Sequence, residues 1–254
     1  MQLHWRNPSI MMTTSFQAAK IPLHFLLLDK ISIFEQLQIE EALLRADKRN
    51  WCLINTGSPE AIVMGISGKP DLLIEDRVFQ MKPVPVIKRF SGGGTVFIDH
   101  NTIFVTWICN SRELSIPCCP EKIHQWTIHF YQQAFPNLGM QLRENDYVLN
   151  EQKCGGNAQY LCKDRWLHHS SLLWDFDEEN MRYLSMPPKM PVYRHRRPHK
   201  DFLCKLRDYF PEKGMLSARV RETLGHVFHV SEVELEEIQE LLCGGHRQAT
   251  QLLK

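Results

Sequence analysis

The stretch VPVIKRFSGGGTVFID, residues 84–99, joins a short apolar run to two cations and three consecutive glycines. Lys88 and Arg89 end the run, and Ser91 opens the glycine turn. Glycine has no Cβ, so three in a row let the backbone approach a ligand closely and adopt positive φ. Consecutive N–H groups in such a turn can form an anion cradle, and the planar cation of Arg89 suits phosphate or carboxylate. An ordinary hairpin turn with a solvated basic flank is the alternative, because the stretch matches neither common phosphate-binding glycine motif.

Strand patterns continue on both sides of this stretch. Apolar and β-branched runs predict strands over 51–55, 61–66, 84–89, 95–99, 103–109, 146–150, 152–162 and 166–174, the last two as a hairpin around Lys163-Asp164. The short connections between them favour antiparallel pairing. The sequence therefore predicts an α+β fold, with a mixed or antiparallel sheet and helices packed mainly on one side.

Helix signals are found at both ends of the chain and in its middle. Ser32, followed three residues later by Glu35, is a capping box that opens a helix extending to Arg45, with Glu40 and Glu41 off its apolar stripe. A proline at residue 120 opens a second helix. Helical spacing near the carboxy terminus predicts further helices over 200–209, 217–228 and 231–243.

A second glycine-containing stretch, RENDYVLNEQKCGGNAQ, covers residues 143–159. Strand alternation places Lys153, Gly155 and Asn157 on one face and Cys154 on the other. A lysine in that position could reach a ligand across Gly155, which has no side chain. An ordinary surface lysine on a strand is the alternative.

Composition excludes several classes of protein. The chain has 254 residues, of which 43% are hydrophobic and 23% are charged, with a net charge of +1. Balanced charge gives no general attraction to nucleic acid or to an anionic membrane, and no apolar run approaches the roughly 20 residues of a membrane span. The eight cysteines contain no C-x-x-C pair, which favours a reducing compartment over a zinc or disulfide framework.

Several motifs occur together in a fixed order: FEQLQIEEALLR (34–45), SPEAIVMGISGKP (58–70), RFSGGGTVFID (89–99), RENDYVL (143–149), KCGGNAQ (153–159) and HHSSLL (168–173). In this order and spacing they resemble the lipoate–protein ligase A family, within the biotin/lipoate A/B protein ligase superfamily. The resemblance covers about residues 25–210 and is nearest to the short, plant-type members. It implies a biotin/lipoyl ligase-like catalytic domain.

The resemblance implies ATP-dependent chemistry with Mg²⁺. Such ligases activate the carboxylate of lipoate as lipoyl-AMP, release pyrophosphate and pass the acyl group to a lysine of a lipoyl domain. Lys153 would be the catalytic residue, in contact with the acyl carbonyl and the adenylate phosphate, and Asp146 a metal contact. The residues implied to bind substrate or adenylate are Arg89, Ser91, Gly92, Gly93, Gly94, Thr95, Asn145, Gly155, Asn157, Ala158 and His169.

The implied partners are lipoyl-domain acceptors, namely the E2 subunits of 2-oxoacid dehydrogenases and the glycine cleavage H protein, together with free lipoate or octanoate. Bacterial-type ligases carry G-R-x-Q-N where this chain has Gly65-Ile66-Ser67-Gly68-Lys69. This departure raises the alternative of a separate accessory subunit. A single catalytic domain over 25–254 is expected, with no large carboxy-terminal accessory domain.

The first 28 residues contain no Asp or Glu but do contain Arg6 and Lys20. Residues 1–24 are therefore expected to be a flexible terminus or a weak targeting segment. A mitochondrial location follows from the second interpretation, with a cytoplasmic or plastid location as the alternative.

Other functions stay open at this point. An octanoyl or lipoyl transferase would move an already activated or protein-bound acyl group without ATP, by a cysteine nucleophile in some relatives. Biotin attachment is disfavoured because the glycine turn lacks internal arginines. A degenerate member would only bind lipoyl domains. The basic run YRHRRPHK, residues 193–200, is either a solvated loop or a docking patch for an acidic acceptor.

Overall fold

The structure is a computed structural model that describes residues 20–187 and 189–253. Its twelve strands are β1 (Ile21–Leu28), β2 (Trp51–Asn55), β3 (Ala61–Met64), β4 (Val86–Lys88), β5 (Val96–Ile98), β6 (Thr102–Asn110), β7 (Gln141–Arg143), β8 (Asp146–Leu149), β9 (Gln152–Leu161), β10 (Arg165–Leu173), β11 (Phe228–Glu232) and β12 (Gln251–Leu252). The α-helices in the described ranges are α1 (Ile33–Ala46), α2 (Pro70–Leu73), α3 (Asp76–Met81), α4 (Pro120–Ala134), α5 (Glu178–Met181), α6 (His199–Phe202), α7 (Gly214–Val227) and α8 (Gln239–Leu242).

Eight strands form one large mixed sheet in the order β11-β1-β2-β6-β10-β9-β8-β7. Its centre is β6, in which every residue from Thr102 to Cys109 is buried, as its nearly continuous apolar run predicts. The β9–β10 hairpin turns at the predicted Lys163-Asp164 and pairs antiparallel along most of its length. β1 pairs parallel with both of its neighbours, which makes the sheet mixed.

The remaining strands form a small sheet in the order β12-β4-β3-β5. Val63 of β3 and Ile87 of β4 pack into the same core as Leu37 of α1 and Leu53 of the large sheet. The small sheet therefore lies over one face of the large sheet beside α1. It holds the turn after β4 against the middle of the molecule.

The helices cover both faces of the large sheet. α1 begins at the predicted cap, where the Ser32 hydroxyl accepts the Glu35 N–H at 3.2 Å, and it packs on the face shared with the small sheet. α4 and α7 pack on the opposite face, for example through Phe130 and Leu224. The predicted α+β class is confirmed, although this division differs from the expected arrangement of helices mainly on one side.

Two sequence expectations concern the ends of the chain. The helix predicted from residue 231 is wrong at its start, because 228–232 form β11, which pairs with β1 through registers such as Ile21 with Phe228. The predicted targeting segment lies mostly outside the described residues, so the location of the protein stays a prediction.

No helix among the described residues combines the length and apolar character that a membrane span requires. All eight cysteines are free thiols.

Candidate active site

The turn after β4 is built around the side chain of Arg89, which is 4% exposed. Its Nε and Nη2 donate to the carbonyl of Gly92 at 3.1 and 2.8 Å, and Nη2 also donates to the carbonyl of Gly94 at 2.8 Å. Burial lowers the pKa of Arg89 to about 10, against the opposing effect of the nearby Glu40 charge, so the guanidinium is protonated at neutral pH. Arg89 thus shapes the glycine turn from inside.

Close backbone approach explains two of the glycines. A Cβ on Gly65, at the end of β3, would lie 2.2 Å from the carbonyl oxygen of Gly93. Gly93 has a φ of +104°, and a Cβ there would lie 2.6 Å from Nη2 of Arg89 and 3.3 Å from the Cβ of Ala158. Only glycine fits these two positions. The contact with Ala158 also shows that the glycine turn lies directly against β9.

Two hydroxyl groups in this turn lack partners. Within the described residues, the buried side-chain oxygens of Ser91 and Thr95 make no hydrogen bond. A buried polar group without a partner costs about 1–3 kcal/mol, so such groups call for an explanation. Phosphate or carboxylate oxygens would satisfy both hydroxyls.

Lys153 lies on β9, on the side of the sheet that faces the glycine turn. Its Nζ is 2.7 Å from Oδ1 of Asp146, and the two side chains are 21% and 13% exposed. A Cβ on Gly156 would lie 3.2 Å from the same Nζ. Lys153 therefore extends over Gly156 in the direction of Ala158, and the turn and the lysine border one space.

The expectation that Lys153, Gly155 and Asn157 share a face is wrong, because β9 carries a bulge. Tyr147 pairs with Gly155 and the next residue of β8 pairs with Lys153, which leaves Cys154 as an extra residue. The extra residue reverses the alternation, so Gly156 takes the position expected for Gly155. A Cβ on Gly155 would instead lie 2.9 Å from Cδ2 of the core residue Leu172.

Asn157 lies on the face that packs against α4. Its Oδ1 is 2.6 Å from Nε2 of His124, and its amide donates to the carbonyl of Asn145. Asn157 therefore ties β9 to α4 and to the exposed turn that carries Asn145. The Asn157 side chain is therefore on the face opposite the Lys153 ammonium, and Cys154 is buried in the core, as the sequence predicts.

His169 of β10 lies opposite Ala158 of β9. Its Nδ1 is 2.9 Å from Oε2 of Glu40 on α1, and Glu40 is fully buried. Glu40 also accepts hydrogen bonds from Gln36 at 2.8 Å and from Thr106 at 2.6 Å. This network fixes the His169 ring beside the Gly93–Ala158 contact.

Residues 193–204, the covering segment, lie over the Lys153 end of β9. The Tyr193 hydroxyl donates to Oδ2 of Asp146 at 2.9 Å, and burial, followed by the charge of Asp146, raises the pKa of Tyr193. The backbone N–H of Cys204 donates to the carbonyl of Lys153 at 2.9 Å. Burial, with the charges of Arg194 and Lys153, lowers the pKa of His199 to about 4.

Sequence reasoning missed this covering segment. It interpreted residues 193–200 as a surface run, but Arg194 is 4% exposed and Arg197 is half-buried, with its guanidinium bound to backbone carbonyls. Both interpretations of this run, a solvated loop and a docking patch, require exposed arginines and are therefore wrong for Arg194 and Arg197. The sequence did contain one signal for burial, since aromatic residues, Tyr193 and Phe202, accompany the cations. In the structure the Phe202 ring lies 4.8 Å from the Arg194 guanidinium.

A separate depression lies elsewhere on the described surface. It has a volume of about 480 Å³, and the acidic residues of its lining, among them Glu60, Asp99, Asp175 and Asp177, outnumber its one lysine, Lys205. Burial, with the charge of Glu60 nearby, raises the pKa of Asp99. The negative charge of this depression would repel a phosphate, so it is not the candidate site.

The family profile of the lipoyl protein ligase A/B catalytic domain matches residues 32–229 of this chain. The chain belongs to this family. The expected resemblance is thereby confirmed, and the matched range includes both glycine stretches, Lys153 and the covering segment.

Individual relatives are distant. The chain is 26% identical over 245 residues to the protein named inactive lipoate–protein ligase 2 of Plasmodium falciparum, an alignment that covers 73% of this chain and 63% of that protein. Across five curated relatives, the chain spans 26% to 63% of their lengths.

Solved structures confirm the fold. A lipoate–protein ligase A crystallised with ATP superposes with a TM-score of 0.74 at 13% identity, over 88% of this chain and 93% of that one. The bipartite lipoate protein ligase of Thermoplasma acidophilum, studied with its E2 lipoyl domain, gives a TM-score of 0.72 at 15% identity, over 88% and 91% of the two chains.

Proposed function

We propose that this protein activates lipoate with ATP as lipoyl-AMP and transfers the lipoyl group to a lysine of a lipoyl domain. The observation that carries the proposal is the contact between the glycine turn and β9, which places the turn beside the face of the strand that carries the Lys153 ammonium. Family membership makes lipoate the first ligand to test.

The first step would form a mixed anhydride. A carboxylate oxygen of lipoate attacks the α-phosphorus of ATP, and the bond between that phosphorus and the bridging oxygen breaks to release pyrophosphate. Negative charge builds on the phosphorus oxygens during this step, and preorganised cations and N–H donors stabilise it. Lys153 and the amides of the glycine turn are the groups placed to do so.

The second step would form an amide. The acceptor lysine attacks the acyl carbonyl, and the bond from carbonyl carbon to phosphate oxygen breaks to release AMP. This amine has an ordinary pKa of about 10.4, so it must lose a proton before or during attack. A phosphate oxygen or Asp146 would take that proton, and close placement of the two reactants contributes the rest of the acceleration.

Asp146 would also be the protein contact for Mg²⁺. This cation is commonly held by one or two carboxylates together with substrate phosphates and water, so one aspartate beside the nucleotide suits it. Bound Mg²⁺ supplies charge neutralisation on the phosphates. Asp146 itself orients the Lys153 ammonium through Oδ1 and accepts the Tyr193 hydroxyl through Oδ2.

A second candidate function is transfer of a preactivated acyl group without ATP. The stretch after Gly65 favours it, because Ile66 stands where bacterial-type ligases carry arginine, and Ile66 is 48% exposed. A cysteine nucleophile is not favoured, since Cys154 and Cys204 are core residues and Cys162 lies nine residues from Lys153 along the chain.

A mass-shift assay on an unmodified lipoyl domain separates these functions. Three donors are compared, namely lipoate with ATP, synthetic lipoyl-AMP, and an octanoyl carrier protein. We expect lipoylation with the first two donors and release of pyrophosphate with the first. Modification by lipoyl-AMP or the octanoyl carrier alone would establish the second function, and no shift with any donor would contradict both.

A further inference from the structure

Residues 193–204 are fixed firmly over the end of β9. Nη2 of Arg197 donates to the carbonyl of Glu151 at 2.8 Å, and Nε donates to the carbonyl of Arg194 at 3.1 Å. The next two residues, His195 and Arg196, have φ values of 49° and 58°. Left-handed backbone is unfavourable for such side chains, and it persists where surrounding contacts impose it.

This backbone turns the side chain of Arg194 into the protein. Arg194 is 4% exposed, its Nε donates to the carbonyl of Arg197 at 2.9 Å, and its guanidinium lies 4.8 Å from the ring centre of Phe202. Its Nη2 is buried and has no hydrogen-bond partner among the described residues. Native proteins seldom leave a buried guanidinium nitrogen unpaired, because the loss of water is not compensated.

The charges around this nitrogen do not balance. Lys153 and Arg194 are both cations, and Asp146 is bound directly to Lys153. The charge of Asp146 favours protonated Arg194, but burial and the charge of Arg197 oppose it. His199, which also experiences the charges of Arg194 and Lys153, is neutral at neutral pH. The half-buried site therefore has a surplus positive charge, and an anion would neutralise it.

We propose that Arg194 is a second cation for the phosphate of the acyl adenylate, contributed by the covering segment. This inference rests on the proposed function, because it takes the anion to be the phosphate that joins the lipoyl and adenosine groups. A planar guanidinium with a free N–H suits a phosphate oxygen, and such charge-assisted bonds are among the stronger ones in proteins.

The test compares two ligands that differ in the presence of this phosphate. Lipoyl-AMP carries the phosphate, and 5′-O-lipoyladenosine replaces it with a neutral ester. Calorimetry measures the dissociation constant of each ligand for the wild type, Arg194→Gln and Arg194→Lys. The matched control is Arg182→Gln, which changes an exposed arginine paired with Glu179. Should Arg194→Gln fail to fold, Arg194→Met replaces it, because its apolar chain retains the packing on Phe202.

We expect the wild type and Arg182→Gln to prefer lipoyl-AMP over the ester by the same factor. In Arg194→Gln that preference should fall roughly 10- to 100-fold, the value of one or two charge-assisted hydrogen bonds, with affinity for the ester unchanged. Arg194→Lys should restore part of it. An unchanged preference in folded Arg194→Gln or Arg194→Met would overturn the inference alone. A wild type that binds neither ligand and transfers no lipoyl group would overturn the proposed function as well.

Discussion

The ammonium of Lys153 lies 2.7 Å from one carboxylate oxygen of Asp146, and the other oxygen accepts the Tyr193 hydroxyl at 2.9 Å. Two neighbouring strands and the covering segment therefore meet at this carboxylate. The pair fixes the lysine over Gly156 and leaves it partly exposed. A phosphate bound in the same space would gain a cation that is already oriented.

Replacing Lys153 with methionine should remove this cation with little effect on the fold. Loss of one preorganised donor to a developing oxyanion lowers turnover by roughly 10²- to 10³-fold, and we expect that reduction in transfer from lipoate and ATP. The matched control is Lys163→Met, in the exposed β9–β10 turn. Retention of full activity by Lys153→Met, with an unchanged melting temperature, would remove Lys153 from the reaction.

The close approach of Gly65 to the carbonyl of Gly93 predicts different stabilities for two glycine-to-alanine variants. Gly65→Ala places a Cβ 2.2 Å from a backbone oxygen, so it should destabilise the fold by about 2 kcal/mol or more and reduce ligand binding. Gly94→Ala is the control, since a Cβ there meets no atom within 4 Å. The free energy of unfolding in urea measures both, and equal stability of the two variants would contradict the turn geometry.

The bulge at Cys154 predicts different defects for the adjacent glycines. In Gly156→Ala the new methyl group presses on the flexible end of Lys153, so activity should fall while stability changes little. In Gly155→Ala the methyl group meets Leu172 and the carbonyl of Ser171, so stability should fall. Steady-state kinetics and thermal unfolding of the pair distinguish this register from regular alternation, which would exchange the two results.

The surface part of the basic run offers a test of acceptor docking. Arg196 is exposed, whereas the guanidinium of Arg197 binds backbone carbonyls. If an acidic lipoyl domain docks here, Arg196→Glu should raise the KM for that domain at low salt and lose its effect at high salt. Arg197→Glu should lower stability instead. An Arg196→Glu variant with an unchanged KM at low salt would exclude this docking surface.

Stability should fall as the pH is lowered from about 6.5 to 4. Burial, then the charges of Arg194 and Lys153, lower the pKa of His199 to about 4 in the folded chain, below its ordinary value of 6.5. Within that interval the unfolded chain binds a proton that the folded chain does not, so unfolding becomes easier as the pH falls. His199→Asn should therefore show a weaker acid dependence than the wild type in urea titrations. Identical slopes would show that His199 has an ordinary pKa.

The sequence correctly predicted those helix ends and turns that depend on a few neighbouring residues. The Ser32 cap, the proline that opens α4 and the β9–β10 hairpin are examples, because a cap or a turn depends on neighbouring residues alone. The glycine turn belongs to the same group. Its three glycines indicated close backbone approach, and the contact of Gly93 with Ala158 shows what approaches.

Contacts between distant parts of the chain could not be predicted in this way. Glu40 and Glu41 lie off the apolar stripe of α1, yet both are buried, because Glu40 binds His169 and Glu41 accepts N–H groups from Ala249 and Thr250. Similarly, parallel pairing with β1 makes residues 228–232 a strand despite helical spacing. The bulge at Cys154 depends on the register with β8, which the sequence of β9 alone does not reveal.

The central claim is that the glycine turn and Lys153 bind one ligand together. Amide hydrogen exchange of residues 91–95, measured with increasing lipoyl-AMP in the wild type and in Lys153→Met, tests it most directly. We predict that the ligand slows exchange in this turn of the wild type, and that Lys153→Met needs at least about tenfold more ligand for the same protection. Equal protection of the turn in both proteins, or none in either, would contradict the claim.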